Sequence, residues 1–177
     1  EAPSDRWIDA ARVPRQPGST LKPFLYALSM ERGWTAATLI EDSPMSEPVG
    51  SGLHTFRNYS RIHYGPVTLR KALGNSLNIP AVRALQFVTA DTFLSRLRRM
   101  GIASLSAHPD HYGAGLALGN GEVPLESLVE AYTVLARDGL HAPLTFFLDQ
   151  TREPEILKRV FPRGVCRIIG HILSDPE

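Results

Sequence analysis

The chain has 177 residues, of which 43% are hydrophobic and 21% are charged, and its formal net charge is +1. This composition is typical of one globular domain that can bury a hydrophobic core, and it excludes an intrinsically disordered chain. The near balance of charge argues against a nucleic-acid or anionic-membrane surface, and no apolar run reaches the roughly 20 residues that a membrane-spanning helix requires.

The first predicted helix covers residues 19–32, because it follows Gly18, keeps apolar residues at helical spacing and stops at Gly33. Pro23 fits its first turn, where the missing N–H of proline costs little. Residues 41–64 are rich in Pro, Ser and Gly and show no clear period, so we predict a long irregular loop there. Loops of that length are usually functional or mobile.

Two helices are predicted on either side of Ser76. The first covers residues 68–74 and begins at a Thr cap. The second begins with Asn78 as its cap and has Pro80 near its first turn. The tripeptide Ser76-Leu77-Asn78 is therefore expected at a turn between helices, where its polar side chains can face a cleft.

The rest of the chain is predicted to contain further helices and one strand. The helices cover residues 89–100, 124–138 and 164–173, and the strand covers residues 144–148. A buried stripe on the helix 124–138 is expected from Leu125, Leu128, Tyr132 and Leu135. The fold class that these elements predict is mainly α with little strand, arranged as one domain over residues 1–177.

Several side chains outside these patterns receive simple structural interpretations. Solvated helix faces are expected for Arg96, Arg98 and Arg99 and for Glu122, Glu126 and Glu130. The single cysteine, Cys166, cannot form an intramolecular disulfide and is expected to act as a small apolar residue. His108 and His111 lack zinc-ligand spacing, so no metal or cofactor is expected.

Ser19 and Lys22 form the first pattern that could carry chemistry. They lie three residues apart at the start of a predicted helix, so the hydroxyl and the amine project from the same face. Serine is a poor nucleophile until a base takes its proton, and a lysine kept neutral by its surroundings can be that base. Taken alone, the spacing is more typical of a cap serine beside an exposed lysine than of a catalytic pair.

Ser76 and Asn78 form the second pattern. A hydroxyl at this turn can relay a proton, and a carboxamide can hold a peptide carbonyl or N–H. By themselves, serine and asparagine at such a place are also common helix caps.

These patterns and their neighbours carry a resemblance to a known family. Residues 16–24 (QPGSTLKPF) resemble the active-site segment of the penicillin-binding transpeptidases, whose S-x-x-K motif runs here from Ser19 to Lys22. The region of the second motif resembles the class A, bifunctional members over residues 58–59, 64–70 and 76–83. The resemblance is to the 1C branch of the family in particular at residues 110–113, 116–119 and 131–132. The resemblance covers most of residues 14–175.

The resemblance implies the helical part of the α+β penicillin-binding transpeptidase fold, which is similar to that of the serine β-lactamases. It also implies a D,D-transpeptidase that cross-links peptidoglycan stem peptides. Ser19 would attack the D-Ala-D-Ala carbonyl and Lys22 would accept its proton. Ser76 would pass the proton toward the leaving amine, and Asn78 would orient the peptide. β-Lactams would act as covalent inhibitors at Ser19, and no cofactor would be needed.

The chain departs from the family pattern at the third motif. Lys-Thr-Gly is absent, because Lys22, Lys71 and Lys158 are each followed by other residues. In the family this motif lies on a strand that forms one side of the active-site cleft, and the motif supplies an N–H group to the oxyanion hole. Because the first residue is not Met, we expect a piece of a longer protein, in which the family's strands before the nucleophile are missing or reduced and the preceding glycosyltransferase domain is absent. We therefore expect a fragment that is inactive or weakly active, with an exposed apolar flank that favours self-association or partial disorder.

Two other classes of function share these residues. A D,D-carboxypeptidase or a serine β-lactamase uses the same nucleophile but transfers the acyl group to water. A non-catalytic β-lactam-sensing or partner-binding module would keep Ser19 and Lys22 without turnover. For location, the resemblance implies the outer, periplasmic face of the bacterial cytoplasmic membrane with an N-terminal anchor, whereas the sequence itself indicates a soluble domain and no nucleic-acid partner.

Overall fold

A computed structural model describes residues 9–49, 52–145 and 157–175 of the chain. Its helices are α1 (Lys22–Glu31), α2 (Leu69–Gly74), α3 (Asn78–Val88), α4 (Ala90–Arg98), α5 (Pro109–Tyr112), α6 (Leu125–Ala136) and α7 (Arg163–Leu173). Its strands are β1 (Leu39–Asp42), β2 (Met45–Val49), β3 (Gly52–Phe56), β4 (Gly65–Thr68), β5 (Leu140–His141) and β6 (Lys158–Arg159). Short 3-10 helices cover Gly18–Leu21 and Gly113–Leu118. The predicted fold class, mainly helical with little strand, is confirmed.

Helix α1 forms the centre of the molecule. Every residue from Leu21 to Met30 is buried, and α1 packs against α2, α3, α4 and α7. A helix that is apolar on all sides is stable only when other elements surround it. None of the helices in the described residues is long and apolar enough to cross a membrane.

The strands form antiparallel pairs, with β1 beside β4, β2 beside β3 and β5 beside β6. The prediction of an irregular loop over residues 41–64 is therefore wrong, because most of that segment lies in or between these strands. Its prolines and glycines hide the pattern, whereas two-stranded pairs tolerate such residues at their unpaired edges. The strand predicted over residues 144–148 is not formed at Leu144 and Thr145, and its other residues lie outside the described ranges.

Most predicted helix limits are confirmed. The predicted helix 19–32 is the 3-10 turn followed by α1, and the predicted helix 164–173 corresponds to α7. Thr68 caps α2, since its Oγ1 accepts a hydrogen bond from the Lys71 N–H at 3.2 Å. Asn78, however, is not the cap of α3. Leu77 occupies that position in an extended conformation, and Asn78 is the first helical residue.

The predicted buried stripe of α6 is confirmed at Leu128, Tyr132 and Leu135, which are partly buried and pack against the core, but it is wrong at Leu125, which is 52% exposed. The fully buried residues of α6 are Ala131 and Val134. Helix α6 packs against α7. Glu130 also departs from the predicted solvated face, because its Oε1 lies 2.7 Å from Nε2 of His141 and the pair is largely shielded from solvent.

Cys166 is 2% exposed in α7, and burial raises the pKa of its thiol to about 11. A thiol of that pKa is protonated and unreactive at neutral pH. The interpretation of Cys166 as a small apolar residue is confirmed.

Arg96 does not belong to a solvated face, although Arg98 and Arg99 are exposed. The Arg96 side chain is 8% exposed, forms a bidentate pair with the carboxylate of Glu31 and donates to the Val160 carbonyl at 2.7 Å. Its guanidinium also lies 4.7 Å from the centre of the Phe161 ring. Arg96 therefore ties α1 and α4 to the segment that leads into α7.

The substitution Arg96→Ala is expected to lower the free energy of unfolding by about 2 kcal/mol, because it leaves the Glu31 carboxylate and the Val160 carbonyl without their donor. Urea unfolding followed by circular dichroism measures this change. The matched control is Arg99→Ala, which removes one exposed bond to the Arg159 carbonyl and is expected to change stability by less than about 0.5 kcal/mol. Equal losses in the two variants would contradict the bridging role of Arg96.

Candidate active site

Ser19 lies in the 3-10 turn that precedes α1. Gly18 begins this turn with a φ of +57°, and the turn is closed by Thr20, whose N–H and Oγ1 both donate to the Pro17 carbonyl at 3.3 and 2.7 Å. The Ser19 side chain is exposed, and among the described residues its hydroxyl has no hydrogen-bond partner. A hydroxyl so placed is accessible to a ligand and close to the N–H groups of a helix start.

Two segments distant in sequence contact this turn and stabilise it. Gly119, with a φ of +73°, places its backbone against Gly18, whose N–H donates to the Gly119 carbonyl at 3.4 Å. A methyl group on Gly119 would lie 2.2 Å from the Gly18 carbonyl oxygen, so only glycine fits. From α6, the Tyr132 hydroxyl donates to the Thr20 carbonyl at 2.8 Å, and the Tyr132 ring packs edge-on against Phe24 at 4.9 Å.

Lys22 is the buried cation of the site, with 1% of its surface exposed. Its Nζ donates to the Ser76 carbonyl at 2.6 Å, to Asn78 Oδ1 at 2.8 Å and to Ser76 Oγ at 3.2 Å. Within the described ranges no carboxylate forms an ion pair with it. All of these acceptors are neutral, so burial dominates and lowers the pKa of Lys22 to about 8.

Ser76 lies at the turn between α2 and α3, as predicted, with a φ of +52°. That region is sparsely populated by residues other than glycine, and such strain is concentrated at functional sites. In this backbone conformation both the carbonyl and the hydroxyl of Ser76 accept hydrogen bonds from the Lys22 amine.

Asn78 is held at both ends of its side chain. Its Oδ1 accepts from Lys22, and its Nδ2 donates to the Arg57 carbonyl at 2.9 Å. Its backbone N–H donates to Asn58 Oδ1 at 2.8 Å. The carboxamide of Asn78 therefore has one defined orientation.

A cavity of about 500 Å³ lies beside the segment that leads to Ser19, and none of Ser19, Lys22, Ser76 and Asn78 lines it. Its wall includes Gln16, which lies three residues before Ser19, and Phe56, which precedes Arg57. Leu118 and Tyr112 also line the cavity.

Of the predicted site residues, the structure joins Lys22, Ser76 and Asn78 by direct hydrogen bonds. Ser19 lies in the same turn as Lys22, with its hydroxyl outside that bonded cluster. Such a set is suited to nucleophilic acyl transfer, since it combines an accessible hydroxyl, an amine with a lowered pKa and a positioned carboxamide. Among the described residues, no group of His, Cys, Asp or Glu is arranged to hold a metal ion.

Sequence reasoning gave no role in the site to four residues that shape it, which are Asp42, Asn58, Gly119 and Tyr132. The last three lie in the segments 58–59, 116–119 and 131–132 that carry the family resemblance, so the resemblance was a signal that could have found them. Asp42 left no such signal, because the alternation of burial in β1 is visible only in the structure.

Comparison with known proteins gives a consistent result. The family model described as "Penicillin binding protein transpeptidase domain" matches residues 8–175. Penicillin-binding protein 1C of Escherichia coli (strain K12) is 31% identical over 95% of this chain and 21% of its own length. Penicillin-binding protein 1A of Neisseria cinerea is 37% identical over 73% of this chain and 16% of its own length. The chain thus spans about a fifth or less of these relatives.

Solved structures give the same fold. The transpeptidase domain of Burkholderia pseudomallei penicillin-binding protein 3 superposes with a TM-score of 0.77 over 94% of this chain and 56% of that chain, at 22% identity. Penicillin-binding protein 1A of Haemophilus influenzae superposes with a TM-score of 0.67 over 77% of this chain and 20% of that chain, at 34% identity.

The depressed pKa of Lys22 is directly measurable, because the chain has only three lysines. In protein labelled with ¹³C and ¹⁵N lysine, one side-chain resonance is expected to titrate near pH 8. The other two lysines, Lys71 and Lys158, are exposed. The variants Lys71→Arg and Lys158→Arg assign the signals and should leave the low midpoint unchanged. Absence of any midpoint near pH 8 would contradict the burial of the Lys22 amine among neutral acceptors.

The contact between Gly18 and Gly119 makes a second prediction. Gly119→Ala is expected to destabilise the fold by about 1–3 kcal/mol, because the new methyl group meets backbone atoms and φ is positive. Gly164→Ala is the matched control, since a methyl group there meets no atom within 4 Å and the site is helical. That variant should be neutral or slightly stabilising. Urea unfolding of both variants tests the difference, and equal stabilities would show that the close contact is not maintained in solution.

Proposed function

The chain belongs to the penicillin-binding protein transpeptidase domain family, and from this premise we propose that it performs D,D-transpeptidation of peptidoglycan stem peptides through a serine acyl-enzyme. The observation that carries the proposal is the Lys22 amine, which is buried next to the nucleophile turn and hydrogen-bonded only to neutral groups. A base with a pKa near the working pH is the requirement for activating a serine.

In the proposed reaction Ser19 Oγ attacks the carbonyl of the penultimate D-Ala of a donor peptide, and Lys22 Nζ takes the hydroxyl proton. The bond to the terminal D-Ala breaks as an ester forms on Ser19. Ser76 Oγ, which lies 3.2 Å from Lys22 Nζ, passes the proton to the leaving amine. The amine of a second stem peptide then attacks the ester, so that a new peptide bond forms and Ser19 regains its proton.

Asn78 is proposed to orient the donor peptide, since its carboxamide is fixed between Lys22 and the Arg57 carbonyl. β-Lactams, which resemble the acyl donor, would acylate Ser19 and block it.

The wider setting is also a proposal, because the chain spans 21% of the length of penicillin-binding protein 1C of Escherichia coli and 16% of the Neisseria cinerea protein. We place the activity at the outer face of the bacterial cytoplasmic membrane, in a membrane-anchored polypeptide that also has a glycosyltransferase domain. The 177 residues contain no Lys-Thr-Gly, and removal of a single oxyanion donor costs an enzyme about 100-fold to 1,000-fold in turnover. The chain by itself is therefore proposed to acylate slowly or not at all.

Intact mass spectrometry after incubation with a penicillin tests the proposal. The 177-residue chain and the full-length natural polypeptide that contains it are compared, each beside its Ser19→Ala variant. We expect a stoichiometric adduct on Ser19 in the longer protein, with acylation of the chain alone slower by about 100-fold or more. Thr20→Ser is the matched control, because it alters the neighbouring residue and keeps its hydroxyl.

Two outcomes would contradict the proposal: no adduct in the longer protein, or an adduct that persists in Ser19→Ala. Rapid acylation of the chain alone would contradict only the expected effect of the missing motif. Incubation of the acylating protein with stem peptides, and separately with the penicillin, then separates the alternatives. Cross-linked dimers indicate a transpeptidase, free D-Ala without dimers a carboxypeptidase, hydrolysed drug a β-lactamase, and a stable adduct without products a sensing module.

A further inference from the structure

A pair of buried polar residues, Asp42 and Asn58, contacts the site through Asn78 and has no role in the reaction described above. Asp42, at the end of β1, is 0% exposed, and Asn58, which follows β3, is 3% exposed. Both are among the few polar or charged side chains buried in the described residues. Burying a carboxylate away from water costs desolvation free energy, so other contacts must compensate for the burial of Asp42.

Asp42 is held by hydrogen bonds rather than by a cation. Its Oδ1 and Oδ2 accept from Asn58 Nδ2 at 2.9 and 2.8 Å, and Oδ2 also accepts from the Tyr64 N–H at 2.9 Å. In the described part of the chain Asp42 forms no ion pair. Burial, and then the negative charge of Asp42, raise the pKa of the Tyr26 hydroxyl in the central helix α1.

These contacts fix the orientation of the Asn58 carboxamide. Its Nδ2 donates to Asp42 and to the Ile62 carbonyl at 3.0 Å, and its Oδ1 accepts from the Asn78 N–H at 2.8 Å. A flipped amide would turn its oxygen toward the carboxylate and its N–H groups toward the helix N–H, so every one of these bonds would be lost. Asp42 therefore allows only one orientation of Asn58.

Asn58 in turn caps α3 from outside. The helix has no side-chain cap of its own, because Leu77 occupies the cap position. Asn58 Oδ1 accepts from the N–H groups of Asn78 and Ile79, at 2.8 and 3.4 Å. The cap thus anchors the first residue of α3, and that residue presents its side chain to Lys22.

We infer that Asp42 and Asn58 are positioning residues, which fix Asn78 so that its carboxamide and the turn at Ser76 meet the Lys22 amine in the geometry needed for acylation. The inference rests on the proposed function, since it assigns these residues to the acylation of Ser19. Neither residue touches the substrate, and both act through Asn78. A purely structural role would instead lower stability without slowing the reaction of the folded protein.

The test measures the acylation rate of Ser19 by a fluorescent penicillin in the full-length natural polypeptide. Temperatures well below each variant's unfolding midpoint are used, with folding verified by circular dichroism. Asp42→Asn removes one of the acceptors that orient Asn58, and Asn58→Asp places two carboxylates together. Each is expected to slow acylation of the folded protein by about 10-fold to 100-fold, because small displacements of positioned groups have effects of that size.

The double variant Asp42→Asn with Asn58→Asp is designed to restore the network with the charge exchanged. The new carboxylate at position 58 can accept from the Asn78 N–H and from the new carboxamide at position 42, whose own oxygen can accept from the Tyr64 N–H. The one contact that is not restored is the hydrogen bond to the Ile62 carbonyl, which a carboxylate cannot donate. We expect its acylation rate to return to within about 5-fold of wild type. Asp42→Glu, which keeps the charge but moves the carboxylate by one methylene, replaces Asp42→Asn if that variant does not fold.

Leu94→Ala, a buried substitution on α4, is the control for loss of stability alone. It is expected to lower the unfolding midpoint and leave acylation at the wild-type rate. Single variants of the polar pair that acylate at the wild-type rate, or an equal slowing by Leu94→Ala, would overturn the positioning role while the proposed function stands. Absence of acylation in the wild-type protein would overturn the proposed function and this inference together.

Discussion

The burial of the Lys22 amine is the constraint on which the rest of the site depends. A lysine side chain that is 1% exposed is stable only if neutral acceptors replace the water that it loses. Ser76 supplies two of these acceptors and Asn78 supplies the third. Because these acceptors belong to the turn between α2 and α3 and to the first residue of α3, this junction has to pass directly beside the first residue of α1.

This requirement explains why distant elements converge on a few residues. Helix α1 is surrounded by other helices, so its start can carry a site whose geometry is set by a rigid core. The turn before α1 is held by the backbone of Gly119 and by the hydroxyl of Tyr132, which belong to two different later segments. Burial raises the pKa of the Tyr132 hydroxyl, so it stays protonated and remains a donor to the Thr20 carbonyl.

The sequence allowed local features to be predicted, whereas features that depend on tertiary contacts were missed. The helices that begin or end at Gly33, Thr68 and Gly101 were predictable, because caps and breakers act within one turn. The pairing of β1 with β4 was not, since it joins segments about 25 residues apart and Gly65 and Pro66 in β4 mimic a loop. Arg96 was assigned to a solvated face because its partners Glu31 and Val160 lie far away in sequence.

The same distinction applies within the site. The spacing of Ser19 and Lys22 was readable, because both lie in one turn, and so was the position of Ser76 and Asn78 between helices. The capping role was misassigned to Asn78 itself, because a propensity argument considers only the side chain nearest to the helix start. In the structure Asn58, twenty residues earlier, caps α3 and frees the Asn78 carboxamide to meet Lys22.

The placement of the buried carboxylate has a further physical consequence. If Asp42 paired directly with Lys22, the attraction would stabilise the ammonium form and raise the pKa of the lysine, which would then be a poor base at neutral pH. Two carboxamides, those of Asn58 and Asn78, stand between the two groups instead. They transmit orientation through hydrogen bonds while keeping the contacts of Lys22 neutral. Burial can then lower the pKa of Lys22 toward the pH at which a general base is most effective.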